Sequence, residues 1–222
     1  MASTAATPLN GSDQPPGGSD HVHARHLPPR GHPLCRPPVP APARLVSGLT
    51  EGIAVETAAG WQPVETLRRG DRVHTLDGGL RGIVAIDRNW LLPGEGAWLV
   101  HVPGGALDNC ADLLLLPRQQ VMFDILPEDD MPDALVAMVA AAALEGLRGI
   151  TRRAILRPLE AITLIFAEEE AIYANSGLRL HCPGVDTPAE DAEAGDFTRL
   201  DLIAARELIR RRDACLAGGI AC

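Results

Sequence analysis

The densest group of potential metal ligands lies near the start of the chain, and it comprises His21, His23, His26, His32 and Cys35. Histidines two residues apart can share a transition metal, since imidazole suits zinc, copper, iron and nickel. A site also needs preorganised geometry and outer partners that orient the ligands. The surrounding segment is too rich in proline and glycine to supply them. We therefore expect adventitious nickel or copper binding here, and no physiological metal or other cofactor.

Two further groups have side chains that could do chemistry. His181 and Cys182 place an imidazole beside a thiol, but neighbouring side chains on an extended strand point to opposite faces, which suits a catalytic dyad poorly. Glu168, Glu169 and Glu170 could bind a divalent cation. A run of like charges more often forms a solvated turn, which is the structure we expect for them.

The composition limits the classes of function. The chain has 222 residues, a net charge of -9, 20 arginines and no lysine, so it lacks the basic surface of a nucleic-acid-binding protein. Its five cysteines are an odd number without a CxxC spacing, which argues against a disulfide framework and a zinc knuckle. These features favour a reducing compartment.

We expect neither an N-terminal signal peptide nor a transmembrane segment. The first 25 residues have no apolar core of a signal peptide. The longest apolar run, Ala134 to Leu144, is shorter than the roughly 20 residues that cross a membrane. The sequence therefore predicts a soluble protein without membrane contact. A cytoplasmic location is favoured, and export by a route that needs no N-terminal signal stays open.

Three segments of the chain differ in composition. Residues 1–44 are rich in proline and histidine and poor in bulky apolar side chains, so they cannot offset the entropy of ordering, and we expect a disordered arm. Residues 45–182 alternate short apolar runs with turns and form the predicted domain. Residues 183–222 comprise a polar linker and a closing helix.

The predicted domain is mostly β. Runs of apolar and β-branched residues between turn residues indicate strands, and Asp77-Gly78 is expected to supply the positive-φ pair of a tight hairpin. The predicted strands cover residues 53–55, 61–64, 72–76, 80–88, 98–102, 112–116, 121–125, 150–155, 160–166 and 171–174.

Two helices complete the prediction. Asp133 to Leu147 is rich in alanine and leucine, with Pro132 near its start. The closing helix is predicted from about Thr198 to Leu216, with Thr198 as its cap and Asp201 three residues later. The three arginines at 210–212 would lie in its last turns, where cations suit the helix dipole.

Four segments of this β region carry a family resemblance. Residues 48–57 and 60–79 resemble the opening of a bacterial Hint domain, the self-processing module of hedgehog and intein proteins. There the pattern runs Cys-Phe-x-x-Gly-Thr-x-Ile-x-Thr, then Gly-x-x-x-Val-Glu-x-Leu-x-x-Gly-Asp-x-Val, then Asp-Gly-Gly. Residues 103–121 are similar to Pro-x-Gly-Ala-Leu followed by Asp-Leu-x-x-Ser-Pro-x-His-x-Val. Residues 169–178 are similar to His-Glu-x-x-x-Ala-x-Gly-Leu. The resemblance implies a mostly β, horseshoe-shaped Hint fold.

The resemblance also implies a chemistry that the chain lacks the side chains to perform. A Hint domain acts on the peptide bond before its first residue: a Cys or Ser attacks the preceding carbonyl, a histidine protonates the leaving nitrogen, and donors stabilise the oxyanion. Here Gly48 stands at the first position, and Gln119 stands at the position of the histidine in the Ser-Pro-x-His segment. Leu116 stands at the position of the serine in that segment, and Glu169 stands at the position of the histidine in the last segment.

Two hypotheses follow. The first is a non-catalytic structural or interaction module, whose protein partner would dock on the arm or on the C-terminal helix. The second is a self-cleaving domain that cuts near Ser47-Gly48 with Ser47 as an atypical nucleophile. A one-residue shift along a strand turns a side chain to the other face, so a surface role for Ser47 is favoured.

Overall fold

The computed structural model describes residues 47–94, 96–125, 136–186 and 197–217. All of them belong to one compact unit. The predicted arm, residues 1–44, lies outside the described residues. No helix within the described ranges is both long and apolar enough to cross a membrane.

The described chain is built mainly from short strands, as predicted, and a single α-helix follows them. The elements are β1 (Leu49–Thr50), β2 (Ala54–Thr57), β3 (Gly60–Pro63), β4 (Arg72–Thr75), β5 (Gly79–Gly82), β6 (Ala85–Leu91), β7 (Trp98–Val102), β8 (Leu113–Leu115), β9 (Gln120–Asp124), β10 (Val136–Ala140), β11 (Thr151–Ala154), β12 (Leu159–Ile165), β13 (Glu170–Ala174), β14 (Leu178–Cys182) and α1 (Leu202–Ala217).

The strands form two antiparallel sheets. The first has the order β11-β7-β8-β1-β12-β6, and the second has the order β10-β9-β14-β13-β2-β4-β5, with β3 added beside β2. The main core draws aliphatic side chains from both sheets and from α1, including Leu49, Val121, Ile162 and Leu208. A smaller apolar cluster around Leu99 and the buried Leu116 contains further residues of the first sheet. Burial of these side chains removes apolar area from water, which is the main force that holds the sheets together.

The predicted strand at 80–88 is in fact two strands. β5 belongs to the second sheet and β6 to the first, so the chain passes between the sheets at Ile83 and Val84. The preceding hairpin pairs Thr75 with Gly79, which leaves a three-residue loop. The positive φ belongs to Gly79, at 64°, and the predicted positive-φ pair at Asp77-Gly78 is therefore wrong.

The helix predicted at 133–147 is wrong where the structure describes it. Val136–Ala140 is a strand, and all five of its residues pair with β9. Short 3₁₀ turns follow at Ala141–Leu144 and Leu147–Gly149. Helix propensity is a weak local preference, and here the buried pairing with β9 outweighs the preference of the alanines.

The second predicted helix is confirmed, but not its cap. Helix α1 begins at Leu202, and Asp201 Oδ1 accepts the backbone N–H groups of Ile203 and Ala204, each at 2.8 Å. Asp201 is therefore the N-cap, and Thr198 lies outside the helix. The last turn holds no basic residue, so the predicted dipole role of the arginines is also wrong.

Candidate functional site

The peptide bond between Ser47 and Gly48 lies just before β1, in the middle of the first sheet. Leu49 pairs with Ile162 on one side and with Leu115 on the other. Gly48 is buried and has a φ of 141°, a backbone conformation that glycine tolerates better than any L-residue. The resemblance places the reaction of a Hint domain at this bond.

Gln119 contacts this bond from the turn before β9. It is 1% exposed, and its Oε1 accepts the N–H of Gly48 at 3.1 Å. Its Nε2 donates to the carbonyl oxygens of His181, at 2.9 Å, and of Gln120, at 3.1 Å. These two carbonyls fix the orientation of the side-chain amide, because only the NH₂ end can face them. An acceptor oxygen therefore faces the nitrogen of residue 48.

The carbonyl end of the same peptide group has its own partner. Thr163 in β12 donates its hydroxyl to the Ser47 oxygen at 3.3 Å. The hydroxyl of Ser47 itself is 3.5 Å from Gln119 Oε1, at the long limit of a hydrogen bond. Side chains thus hold both polar atoms of the 47–48 peptide group.

Leu116 contributes a packed side chain and one backbone hydrogen bond. Its side chain is fully buried in the smaller apolar cluster, and its carbonyl oxygen accepts the backbone N–H of Gln119 at 3.0 Å. This bond closes the turn that presents Gln119 to Gly48.

Glu169 belongs to a buried charged cluster with His181 and Arg199. Its Oε1 is 2.5 Å from His181 Nε2 and also pairs with the Arg199 guanidinium. Phe197 packs edge-on against the imidazole, with ring centroids 6.5 Å apart. Burial lowers the pKa of His181 to about 4, and it also lowers the pKa of Arg199. The cluster adjoins the 47–48 bond indirectly, through the bond from Gln119 to the His181 carbonyl.

The run of three glutamates only partly forms the predicted solvated turn. Glu168 is exposed, whereas Glu170 is 7% exposed and pairs with Arg81 at 3.1 Å. Cys182 pairs with Glu170 across the hairpin, and burial, followed by the charge of that glutamate, raises the pKa of the thiol. A thiol so protonated is a weak nucleophile.

Potential metal sites and clefts were sought around these residues in the part of the chain that the structure describes. Within the described ranges, no group of three or more His, Cys, Asp or Glu side chains could hold a metal ion. The histidines at 21, 23, 26 and 32 lie outside the described residues. One cleft of about 260 Å³ lies beside α1 and β9, and another of about 610 Å³ lies beside His101. Neither cleft is lined by Gly48, Gln119 or Glu169.

Comparison with known proteins identifies the class. The family model of the Hint domain matches residues 47–179, and the chain belongs to this family. The match starts at Ser47 and includes Gly48, Leu116, Gln119 and Glu169. A search of the curated proteins finds no match.

Solved structures of inteins and an intein-like domain are similar to this chain at low identity. A bacterial intein-like domain from Clostridium thermocellum has 12% identity and a TM-score of 0.45, over 61% of this chain and 99% of that domain. A splice-inactive variant of the AceL NrdHF class 3 split intein has 15% identity and a TM-score of 0.40, over 62% of this chain and 98% of that one.

Proposed function

We propose that this Hint domain is a non-catalytic structural module and that its 47–48 peptide bond stays intact. The observation that carries the proposal is the hydrogen bond from Gly48 N–H to Gln119 Oε1 at 3.1 Å. Cleavage requires the amide nitrogen to gain a proton as it leaves. A carboxamide oxygen accepts a hydrogen bond here and has no proton to donate to the leaving nitrogen.

A second requirement of self-cleavage, a nucleophilic side chain at residue 48, is also unmet. Gly48 offers no attacking atom. Thr163 could polarise the Ser47 carbonyl from 3.3 Å, but an oxyanion donor accelerates only an attack that a nucleophile begins. Glu169 is neutralised by Arg199 and contacts the 47–48 bond only through other residues.

The test is the intact mass of the purified full chain, incubated at neutral pH with and without hydroxylamine, which under these mild conditions cleaves esters and thioesters but spares the Asn10-Gly11 bond. We expect one species with the full-length mass under both conditions. A pair of fragments that divides the chain near residue 47 would contradict the proposal and favour the self-cleaving alternative. Ser47→Ala would then show whether the Ser47 hydroxyl is the nucleophile, because this variant would stay whole.

The partner role stays part of the proposal. Helix α1 leaves Leu202 46% exposed and Ile203 83% exposed at its first turn, which supports the helix as a place where a protein partner docks. The arm, the other expected docking segment, lies outside the described residues.

A further inference from the structure

The geometry points to Thr163 as a second determinant of the inert 47–48 bond: its side chain occupies the space that any side chain at residue 48 would need. This inference rests on the proposed function, since it explains what keeps the bond unreactive. It also makes a claim of its own, which is that glycine at 48 and threonine at 163 depend on each other.

The two residues face each other across neighbouring strands. The register pairs Leu49 with Ile162 and Thr50 with Ala161. Its continuation by one residue places Gly48 opposite Thr163. Side chains at directly opposed positions of an antiparallel pair interact on the same face of the sheet.

A side chain at residue 48 would meet this neighbour at once. A Cβ atom built on Gly48 lies 2.9 Å from Thr163 Oγ1 and 3.2 Å from the Ile162 carbonyl oxygen. The first distance is shorter than real Cβ contacts allow, so the threonine or the strand has to shift. The second is tighter than most real Cβ contacts, so the Ile162 carbonyl would also have to move, by a few tenths of an ångström.

Thr163 cannot yield without losing a bond. Its Oγ1 is held by the hydrogen bond to the Ser47 carbonyl, and its β-branched side chain has few rotamers in a strand. Rotation of the hydroxyl away from residue 48 would leave the Ser47 oxygen without this donor. Introduction of cysteine or serine at position 48 would therefore remove the donor from the carbonyl that such a nucleophile has to attack.

The test is a double-mutant cycle in the full chain, with Gly48→Ala, Thr163→Ala and the combined variant compared by urea unfolding. We expect the factor by which Gly48→Ala raises the unfolding equilibrium constant to be at least about fivefold smaller in the Thr163→Ala background, as coupled neighbours show. A cost that remains there reflects the positive φ and the Ile162 carbonyl contact, both of which Thr163→Ala leaves in place. Equal factors in both backgrounds would overturn the proposal.

Matched variants separate volume from hydrogen bonding. Thr163→Val keeps the branched volume without the hydroxyl, and we expect it to give no relief to Gly48→Ala. If Gly48→Ala fails to fold, recovery of folding by Thr163→Ala but not by Thr163→Val supports the proposal, and failure with both overturns it. Cleavage of the wild-type chain would refute the proposed function but would leave the dependence between residues 48 and 163 intact, because the cycle measures stability.

Discussion

Gln119 shows how one side chain can hold a peptide bond without acting on it. Its four side-chain hydrogen bonds use both ends of the amide, so a fully buried polar group has its donors and acceptors matched. An imidazole in this place would have one ring nitrogen to offer to the Gly48 nitrogen and one to a carbonyl. The carboxamide of Gln119 offers the same two contacts, but it has no acidic proton that it could donate to the Gly48 nitrogen.

The buried imidazole of His181 should make the stability of the fold depend on pH. Its pKa is about 4 in the folded chain and about 6.5 in the unfolded chain, so between these values the unfolded chain binds the proton. Protonation then favours unfolding. We expect the free energy of unfolding to fall as pH drops from 6.5 to 4, by up to about 3 kcal/mol, with all of this contribution present above pH 6.5.

The measurement is urea unfolding at several pH values, for the wild type and for His181→Gln. The difference between the two proteins isolates the imidazole, because most carboxylates titrate alike in both. An identical pH dependence in His181→Gln and the wild type would contradict the buried, neutral state of His181.

Only part of the site was predictable from residues. The resemblance identified positions 48 and 119 from short motifs, and the structure brings them into contact. Thr163 gave no signal, because a threonine in a strand is ordinary and its partner Ser47 lies 116 residues away. The role of Arg199 was equally unpredictable from the sequence. Its guanidinium makes Glu169, which was expected to be a surface charge, one member of a buried pair.

At the scale of elements, the cap of α1 offers a direct test. Asp201 accepts two backbone N–H groups at the start of the helix, and loss of such a cap costs about 1 kcal/mol. We expect Asp201→Ala to lower the free energy of unfolding by this amount. Thr198→Ala, at the cap that the sequence predicted, should change it much less. The reverse order in urea unfolding would show that the helix begins earlier.

Elements were predictable where local pattern and tertiary pairing agree. β7 has the predicted bounds, because Trp98–Val102 is rich in apolar and β-branched residues and is packed in the sheet. β10 failed because its alanines favour a helix in isolation, while the backbone groups of Val136–Ala140 pair with β9. The break between β5 and β6 was missed since both strands read as one β-branched run.

At the scale of the whole molecule, the 47–48 bond lies where the two sheets meet. β1 belongs to the first sheet and β14 to the second, and Gln119 bonds to Gly48 beside one and to His181 in the other. The strand orders connect segments far apart in sequence, which no local pattern reveals. The resemblance predicted the fold class because the family motifs mark the turns between these strands.

The central claim is that Gln119 accepts the Gly48 N–H inside a closed fold, and hydrogen exchange of this one amide tests it most directly. Exchange can be followed by NMR on the labelled full chain, with Gln119→Leu as the comparison. We predict that the Gly48 amide of the wild type exchanges as slowly as amides of the core strands, and that Gln119→Leu accelerates its exchange while the core amides of β12 stay protected. A Gly48 amide that exchanges in the wild type at the rate of an unstructured peptide would contradict the account.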